Sequence, residues 1–383
     1  MLYPYCKTFY DLYIMRFLVY GLANGWGGVE AIVMTMIQRL GPSHQFDIVV
    51  GKEVCGYEDK FQMGNVQFLH FPTWGGERKA FVSSIEKQLR SKDYDFVWVN
   101  GCIMSNKDIL AATRRASIAK IITHSHGSSF EEENRLKRYV LLGMHYLHRN
   151  YYKREVDFPC MCSYRSGLWY YGENYMLHHN VHLINNGIDL KRFAFDDAVR
   201  TKYRNALGLT DEIALFHAGR LTQVKNQSFL LEILRDLIKQ NKKYKLFIAG
   251  EGELEEELKS YSRELGVVDS VIFLGKRDDV NKLYQAMDMF LLPSHHEGFP
   301  VTLAEAQAAG LFCIVSNHVS NETDLTGQIV FLGIDVFSRK SWVDEILKCT
   351  PDTTNRGKMA QIVKYKGFDI EDVCKSFERT LRL

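Results

Sequence analysis

Two glutamates, Glu297 and Glu305, lie close to a predicted helix start, with seven residues between them. The apolar run Met289–Leu292 comes just before them and is long enough for a buried strand. Pro300 suits the first position of a helix, because the N–H that it lacks would have no partner there. A helix N-terminus attracts anions through its free N–H groups and its dipole. The two carboxylates therefore need another partner, such as sugar or ribose hydroxyls, and phosphate together with hydroxyls indicates a nucleotide sugar.

An anion site of this kind needs cations, and Arg220 and Lys225 are the candidates. They flank a polar loop between a predicted strand, 213–220, and a predicted helix, 227–240. When the bond between sugar and phosphate breaks, negative charge grows on the leaving oxygen, and fixed cations stabilise that charge more than the ground state. A single Arg or Lys is more often a surface ion-pair partner, so the interpretation depends on the joint pattern.

A glycine-rich loop, 21–28, follows the first predicted strand, 15–20, and leads into a helix that runs to Leu40. It lacks the G-x-G-x-x-G spacing, so a dinucleotide site and an NAD-dependent oxidoreductase are disfavoured. Taken alone, the loop is either a tight turn or a place where a ligand phosphate or sugar comes close to the backbone.

His124 and His126 follow another predicted strand, at the end where ligands of parallel sheets bind. A metal site would need a third ligand, which the neighbouring sequence does not offer. Asp93 and Asp95 form a D-x-D pattern, but they precede their strand rather than follow it. No metal site and no cofactor are therefore expected.

Composition sets the limits of the interpretation. The chain has 383 residues, which is long enough for two domains, and its hydrophobic content of 46% and charged content of 25% are ordinary for a globular protein. The net charge of +2 gives no reason to expect a nucleic-acid partner. The eight cysteines are scattered, which favours free thiols in a reducing cytosol. No apolar run approaches the ~20 residues needed to cross a bilayer, and residues 1–14 are either an extension or precede a natural start at Met15.

Strands and helices alternate regularly in both halves of the chain, which predicts an α/β protein with two Rossmann-like, doubly wound parallel-sheet domains facing a central cleft. The turn signal Asn186-Gly187 marks the expected boundary. The predicted division is an N-terminal acceptor-side domain at 1–185, a donor-binding domain at 186–365, and a last helix at 366–383 that packs back on the N-terminal domain.

The segment Arg135–Arg154 carries six cations and no acid, interleaved with Leu, Tyr, Met and Val. It is either a solvated helix face or a surface attracted to anionic lipid headgroups.

Five stretches together resemble the retaining glycosyltransferases of family 4, also called group 1, which have the GT-B fold. The last of them, Glu297 to Glu305, is that family's E-x7-E motif, and its surroundings look most like bacterial enzymes of capsular or exopolysaccharide biosynthesis. The other four are Gly27-Gly28-Val29-Glu30, Asn186-Gly187-Ile188-Asp189 with Phe193, Gly219-Arg220 with Lys225-Asn226, and Gly250-Glu251-Gly252. The resemblance spans residues 15–380, except that 55–80 and 131–180 follow no family pattern.

The resemblance implies roles for individual residues. Arg220 and Lys225 would hold the donor diphosphate, Glu305 the ribose, and Glu297 the donor sugar, with His124 near the reacting sugar and His126 a weaker acceptor-side candidate. Catalysis would thus involve His124, Glu297, Arg220 and Lys225. The remaining implied donor-binding residues are Gly27, Gly28, Gly250, Gly275, Arg277, Gly298, Phe299 and Pro300.

The resulting expectation is a cytoplasmic enzyme, peripheral on the inner face of the cell membrane, in cell-surface polysaccharide biosynthesis. It would transfer a hexose or N-acetylhexosamine, with retention and without a metal, from a nucleotide diphosphate sugar, most often UDP-linked, to a lipid-linked oligosaccharide. The alternatives are a UDP-sugar epimerase of GT-B fold and a non-catalytic nucleotide-sugar binding protein.

Overall fold

The structure is a computed structural model that describes residues 14–73, 75–128, 134–241, 243–349 and 352–383. The chain forms two compact units. Among the described residues, the first comprises those within 14–125, 134–160 and 170–182, and the second comprises those within 126–128, 161–169 and 183–383. Most of the N-terminal segment 1–14, whose status the sequence leaves open, lies outside the described residues.

The first part of the chain builds a sheet of seven strands within the described ranges, in the order β3-β2-β1-β4-β5-β6-β7. The inner strand β1 pairs in parallel with both β2 and β4. The elements in chain order are β1 Arg16–Tyr20, α1 Gly28–Leu40, β2 Gln45–Gly51, β3 Val66–Phe71, α2 Arg78–Ser91, β4 Phe96–Gly101, α3 Asp108–Ala116, β5 Lys120–Ser125, α4 Arg135–Glu155, β6 Phe158–Met161, α5 Tyr164–Tyr171, α6 Glu173–His178 and β7 His182–Leu183.

The second part builds a sheet whose described strands number six, in the order β10-β9-β8-β11-β12-β13. Its elements are α7 Leu190–Phe193, α8 Asp197–Ala206, β8 Ile213–Ala218, α9 Gln227–Ile238, β9 Tyr244–Ala249, α10 Glu255–Glu264, β10 Val271–Gly275, α11 Val280–Ala286, β11 Met289–Leu292, α12 Val301–Ala308, β12 Phe312–Ser316, β13 Ile329–Leu332, α13 Arg339–Lys348, α14 Arg356–Tyr365 and α15 Ile370–Leu381.

The strands of this sheet are continuously apolar because both faces of the sheet are buried, as β11 shows. Successive side chains of a strand point to opposite faces. Phe290 and Leu292 enter one hydrophobic core, whereas Met289 and Leu291 enter a second core on the other face. Helices cover both faces of the sheet, so a buried strand gains nothing from polar alternation.

The predicted alternation of parallel strands and helices is confirmed in both units, and the bounds of β11 match the expected apolar run Met289–Leu292. One detail is corrected: Pro300 is the N-cap of α12, and the first helical residue is Val301. Pro300 adopts extended backbone, φ −70° and ψ 114°, and its carbonyl accepts the first hydrogen bonds of the helix.

The last helix, α15, begins after Asp369, whose side chain accepts a hydrogen bond from the Glu371 N–H. In the second unit it lies against Gly187 and Ile188: the Ile370 N–H donates to the Ile188 carbonyl at 3.0 Å. The expected domain limits, and the expectation that 366–383 pack back on the N-terminal domain, stay predictions.

The helices in the described parts of the chain include none that combines the length and the apolar character needed to cross a bilayer.

Candidate active site

The loop after β8 brings the predicted cations to the carboxyl edge of the second sheet. Arg220 is exposed, and its guanidinium has no hydrogen bond or ion pair with any described residue. Lys225 ends a short 3-10 turn, and Asn226 follows in the left-handed conformation, φ 55°, before α9 begins. A Cβ atom added to Gly219 would lie 3.5 Å from Lys225 Cε, so the lysine stem lies directly over that glycine.

Lys225 and Glu297 form an ion pair, although 72 residues separate them in the sequence. Ser294 Oγ donates to the same carboxylate oxygen, Glu297 Oε1, at 2.7 Å. The lysine side chain is 21% exposed and the glutamate side chain 12%, so the pair is largely shielded but open to a ligand on one side. The His295 N–H donates to the Val224 carbonyl at 2.8 Å, which holds the loops after β8 and β11 together.

His217, at the end of β8, lies beneath this pair and was not singled out by the sequence. Its Nδ1 faces the Leu291 carbonyl at 2.9 Å, and its Nε2 faces Gln227 Nε2 at 3.2 Å. Nδ1 therefore carries the proton and Nε2 accepts. Burial lowers the pKa of His217 to about 4, so the imidazole is neutral. Gln227 also donates to the Arg220 carbonyl at 2.9 Å and so fixes the backbone beside both cations. The only sequence signal was a histidine within an apolar strand, which is usually structural.

Glu305 lies on the second turn of α12, partly buried. Tyr284 OH lies 3.1 Å from Glu305 Oε2 and 3.0 Å from the Thr302 carbonyl, and can donate to either. Burial raises the pKa of Glu305 to about 7, although the hydrogen bond from Tyr284 and the positive charge of Arg192 oppose the shift. Glu305 Oε1 has no partner among the described residues, so it can accept a hydrogen bond from a ligand hydroxyl.

The predicted glycines of this unit allow neighbouring strand ends to approach one another. Gly250 has φ +138°, and a Cβ atom there would overlap the carbonyl oxygen of Gly219. The Gly250 N–H donates to the Gly275 carbonyl at 2.8 Å, and Gly275 itself has φ +61°. Arg277 follows, and its guanidinium forms an ion pair with Asp279 at 2.8 Å. The strand ends of β8, β9 and β10 thus converge beside Lys225, whereas Arg277 is already neutralised by its neighbour.

The turn before α12 is held by close packing. A Cβ atom at Gly298 would lie 2.9 Å from the His126 carbonyl oxygen, and Ser128 Oγ donates to the Glu297 carbonyl at 3.2 Å. Phe299 is buried and stacks on Phe368 with ring centroids 4.8 Å apart. Phe299 can therefore shape a ligand pocket only through its backbone. His126 meets Gly298 through its carbonyl, and its role toward an acceptor stays a prediction.

The remaining predicted residues lie in the first unit. Gly27 is the N-cap of α1 and, as a glycine, has no side chain to cap the helix. Gly28 is the first residue of that helix. His124 is the penultimate residue of β5, paired with Asn100 and fully buried, and its ring is parallel to that of Trp98. Their assigned roles toward donor and reacting sugar stay predictions.

For one residue of the D-x-D pattern, Asp95, the structure shows a structural role. Asp95 Oδ2 accepts a hydrogen bond from the Arg16 N–H at 2.8 Å and so ties β1 to the start of β4. Across the described ranges, no group of three or more His, Cys, Asp and Glu side chains has the arrangement needed to hold a metal ion. Cys160, Cys162 and Cys313 are buried free thiols.

Comparison with known proteins agrees with this geometry. Residues 199–364 match the sequence model of the family described as glycosyl transferases group 1. EpsF of Bacillus subtilis (strain 168), named as a glycosyltransferase, is 29% identical over 307 residues, which cover 78% of each chain. The Escherichia coli UDP-Gal:alpha-D-GlcNAc-diphosphoundecaprenol alpha-1,3-galactosyltransferase is 27% identical over 337 residues, which cover 85% of each chain.

The solved structure of Anabaena HepE in complex with UDP is similar along 96% of this chain and 99% of its own, with a TM-score of 0.75 at 18% identity. This likeness concerns the fold, two units each built on a parallel sheet. The family match in the second unit, the two relatives along most of the chain, and the shared fold lead to one conclusion: residues 199–364 are a group 1 glycosyltransferase domain, and the chain is a glycosyltransferase with the GT-B fold.

Proposed function

We propose that this transferase moves a hexose or an N-acetylhexosamine from a UDP-linked donor to a lipid-linked glycan in cell-surface polysaccharide biosynthesis. The observation that carries the proposal is the Lys225–Glu297 ion pair beside the unneutralised Arg220, because it combines cations for a diphosphate with a carboxylate for sugar hydroxyls. The names of the relatives support the substrates: the Escherichia coli enzyme takes UDP-Gal and a diphosphoundecaprenol-linked GlcNAc. HepE has been solved with UDP and with UDP-glucose.

In this proposal the donor diphosphate binds between Arg220 and Lys225. Lys225 then shares its charge between Glu297 and the phosphate, while the second carboxylate oxygen of Glu297 is available to donor hydroxyls. As the bond from sugar to phosphate breaks, charge moves onto the diphosphate, where the two cations stabilise it. Because side chains already supply this positive charge, the reaction needs no divalent metal.

Retention follows if the acceptor attacks from the face that the diphosphate leaves. An oxygen of the leaving phosphate then takes the proton of the attacking hydroxyl, so no enzymatic nucleophile is required. Glu305 holds the ribose through the carboxylate oxygen that Tyr284 leaves open.

The decisive experiment offers the purified protein a panel of UDP- and GDP-linked hexoses and N-acetylhexosamines, with and without a chelator. We expect thermal stabilisation by UDP and slow release of UDP from at least one UDP-sugar, insensitive to the chelator; a ligand at 100 times its dissociation constant stabilises a fold by about 2.7 kcal/mol. A protein that neither binds nor turns over any member contradicts the proposal.

The same reactions separate the two alternatives. An epimerase converts the donor into a new sugar without any acceptor, so product analysis from the donor alone identifies it. A non-catalytic binding protein is stabilised by UDP but releases none from any UDP-sugar.

We also propose that α4 docks the enzyme on the cytoplasmic face of an anionic membrane, where a lipid-linked acceptor is found. Five apolar side chains of this helix are more than half exposed, and they recur at the spacing of one helix face: Leu136, Tyr139, Val140, Tyr146 and Leu147. An exposed apolar stripe of this kind is unusual on a protein surface and is typical of helices that lie in a membrane interface.

The six basic side chains of this helix differ in their surroundings. Arg135, Lys137 and Arg138 are exposed in its first turn. Arg149 and Lys153 lie over tyrosine rings instead, at 4.9 Å and 5.4 Å, and burial lowers the pKa of both. The cations expected to meet lipid headgroups are therefore those at the N-terminal end, beside Leu136, and not all six.

Flotation with vesicles that contain phosphatidylglycerol tests the docking. Leu136→Glu with Leu147→Glu is expected to abolish flotation, and reversing the charges of Arg135 and Arg138 to weaken it strongly. Ile118→Glu provides the matched control, because Ile118 is 99% exposed outside α4. Equal flotation of all four proteins would remove α4 from the membrane contact.

A further inference from the structure

Trp26 is a large aromatic side chain that remains 40% exposed, although it lies in a firmly held loop. Its indole stacks on Phe61, with ring centroids 5.6 Å apart and planes 22° apart, and meets the edge of Tyr57 at 5.4 Å. Tyr57 and Phe61 are buried and contact one another at 6.3 Å. These three rings form a fixed aromatic shelf at the carboxyl end of β1.

Hydrogen bonds fix the loop that carries the shelf. Tyr57 OH donates to the Ala23 carbonyl at 2.9 Å, and the Ala23 N–H donates to Glu30 at 2.8 Å. Asn24 accepts from the Gly51 N–H at 2.9 Å and donates to the Glu53 carbonyl at 3.1 Å. The indole is therefore positioned before any ligand arrives, which lowers the entropy lost on binding.

The space around the loop is open. A Cβ atom added to Gly25 or to Gly28 would meet nothing within 4 Å. Gly25 and Gly28 therefore border open space, which a ligand can enter.

A shallow surface depression of about 450 Å³ adjoins the shelf and shares Phe61 with it. Trp26 is not part of its lining, which combines Phe61 and a second aromatic ring, Phe68, with the polar side chains of Glu58, Gln62 and Gln67. Glu58 Oε2 is paired with His70 Nε2 at 2.9 Å, and Gln67 Oε1 accepts a hydrogen bond from Lys92 Nζ at 3.0 Å. Carboxylates and amides are suited to hydroxyl groups, since they accept and donate hydrogen bonds at the edge of a bound ring. The volume falls within the range of small-molecule sites.

We propose that the Trp26–Phe61 shelf and this depression form a carbohydrate-binding site that holds a pyranose ring of the acceptor glycan. A pyranose stacks its apolar C–H face on the indole. Hydroxyls of the glycan that extends past Phe61 into the depression meet Gln62, the second carboxylate oxygen of Glu58 and the NH2 group of Gln67. The assignment to the acceptor rests on the proposed function, because a transferase of sugar to glycan needs a second saccharide site. Phe61 and the depression lie within the segment 55–80, for which the sequence offered no family pattern, whereas Trp26 lies before it.

Fluorine NMR of protein labelled with 5-fluorotryptophan tests the site. The chain has five tryptophans, and Trp26→Phe identifies the Trp26 resonance by its loss. With UDP present in excess, methyl glycosides of glucose, galactose, mannose and N-acetylglucosamine are added separately. We expect at least one of them to shift the Trp26 resonance while those of the fully buried Trp98 and Trp342 stay in place.

Saturation-transfer NMR then measures binding of that glycoside to variants. Trp26→Leu is expected to weaken it about tenfold or more, since aromatic anchors dominate such contacts, while Trp26→Tyr retains most of it. Phe337→Leu, which alters a side chain 91% exposed in the second unit, is the control and should bind as the wild type does. The proposal is overturned if no glycoside moves the Trp26 resonance or if Trp26→Leu binds normally. Absence of thermal stabilisation by UDP would instead contradict the proposed function.

Discussion

Two glycine-containing loops, one in each unit, connect a central strand to a helix but are held by different forces. In the loop of the second unit, between β11 and α12, the ion pair of Lys225 and Glu297 and the hydroxyl of Ser294 supply the contacts. In the loop of the first unit, 21–28, Trp26 packs on aromatic rings, and hydrogen bonds to the Tyr57 hydroxyl, the Glu30 carboxylate and the Asn24 amide fix the loop. The same local architecture thus carries charge in one unit and an uncharged aromatic surface in the other.

This difference fits the two kinds of ligand that a glycosyltransferase must bind. A nucleotide diphosphate requires positive charge, and a carboxylate nearby can take the sugar hydroxyls. A neutral glycan requires an apolar face with hydrogen-bonding groups around it. The residues that distinguish the loops are therefore the appropriate targets for experiments.

The largest effect is expected from Lys225→Ala, because it removes a cation that balances both Glu297 and the donor diphosphate. We expect kcat with a UDP-sugar to fall by about 10²-fold or more. Arg220→Ala should act in the same direction, since its guanidinium is the exposed cation of the same loop.

The matched control is Lys243→Ala, which breaks the exposed ion pair of Lys243 with Asp211 in the same unit. Surface pairs of this kind contribute little, so its turnover should equal that of the wild type. Wild-type turnover in both Lys225→Ala and Arg220→Ala would show that the charged loop does not bind the diphosphate.

The contrast between the loops also shows which features can be read from sequence. The apolar run Met289–Leu292 and the pattern around Pro300 are local, so the strand, the turn and the helix were predictable. The ion pair of Lys225 with Glu297 joins residues 72 apart, and their sequence positions indicate only that both lie at one sheet edge. Sequence therefore assigned the two side chains separate ligands, whereas the folded chain makes them partners.

Contacts that depend on tertiary packing were beyond sequence reasoning for the same reason. Tyr284 meets Glu305 from a different helix, and Trp26 meets Phe61 from a segment without a recognisable pattern. The polar helices α3 and α8 were not predicted either, because their apolar faces are short and interrupted by charged residues.

The second largest effect is expected on the free energy of unfolding. It compares two glycines, one in each unit, that both have a positive φ and lie against a backbone carbonyl. Gly21 has φ +100° and lies against the Asn100 carbonyl, while Gly250 has φ +138° and lies against the Gly219 carbonyl. In each case a Cβ atom would overlap a backbone oxygen, which can move away only if the neighbouring backbone is displaced. We expect Gly21→Ala and Gly250→Ala each to lower the free energy of unfolding of its own unit by about 1–3 kcal/mol.

Chemical denaturation followed by hydrogen exchange would locate each loss. Gly64→Ala is the control, because a Cβ atom there meets nothing within 4 Å and its φ lies outside the left-handed region. If the Gly21 and Gly250 variants are as stable as the control, the close approach of neighbouring strand ends is not what these glycines provide.

The smallest effect is expected on the pH dependence of ligand binding, which tests the ionisation of Glu305. Because burial raises the pKa of this carboxyl to about 7, it is mostly protonated below that pH and ionised above it. A ribose hydroxyl donates better to the ionised form, so affinity should rise with pH. Uridine is the appropriate probe, since it has the ribose but no phosphate, and we expect it to bind about tenfold more weakly at about pH 6 than at about pH 8. Glu305→Gln should lose this dependence.

Tyr284→Phe sharpens the same test. The hydrogen bond from Tyr284 holds the pKa of Glu305 down, as does the charge of Arg192, so its removal should move the midpoint of uridine binding to higher pH. Tyr203→Phe is the matched control, because it removes a tyrosine hydroxyl bonded to another carboxylate of this unit, that of Asp279, at 3.0 Å. If Tyr284 had only a structural role, its replacement would lower the affinity for uridine by the same factor at every pH. A displaced midpoint in Tyr284→Phe and an unchanged one in Tyr203→Phe would show that Tyr284 sets the ionisation of Glu305, and that the second unit controls binding of its ligand through charge.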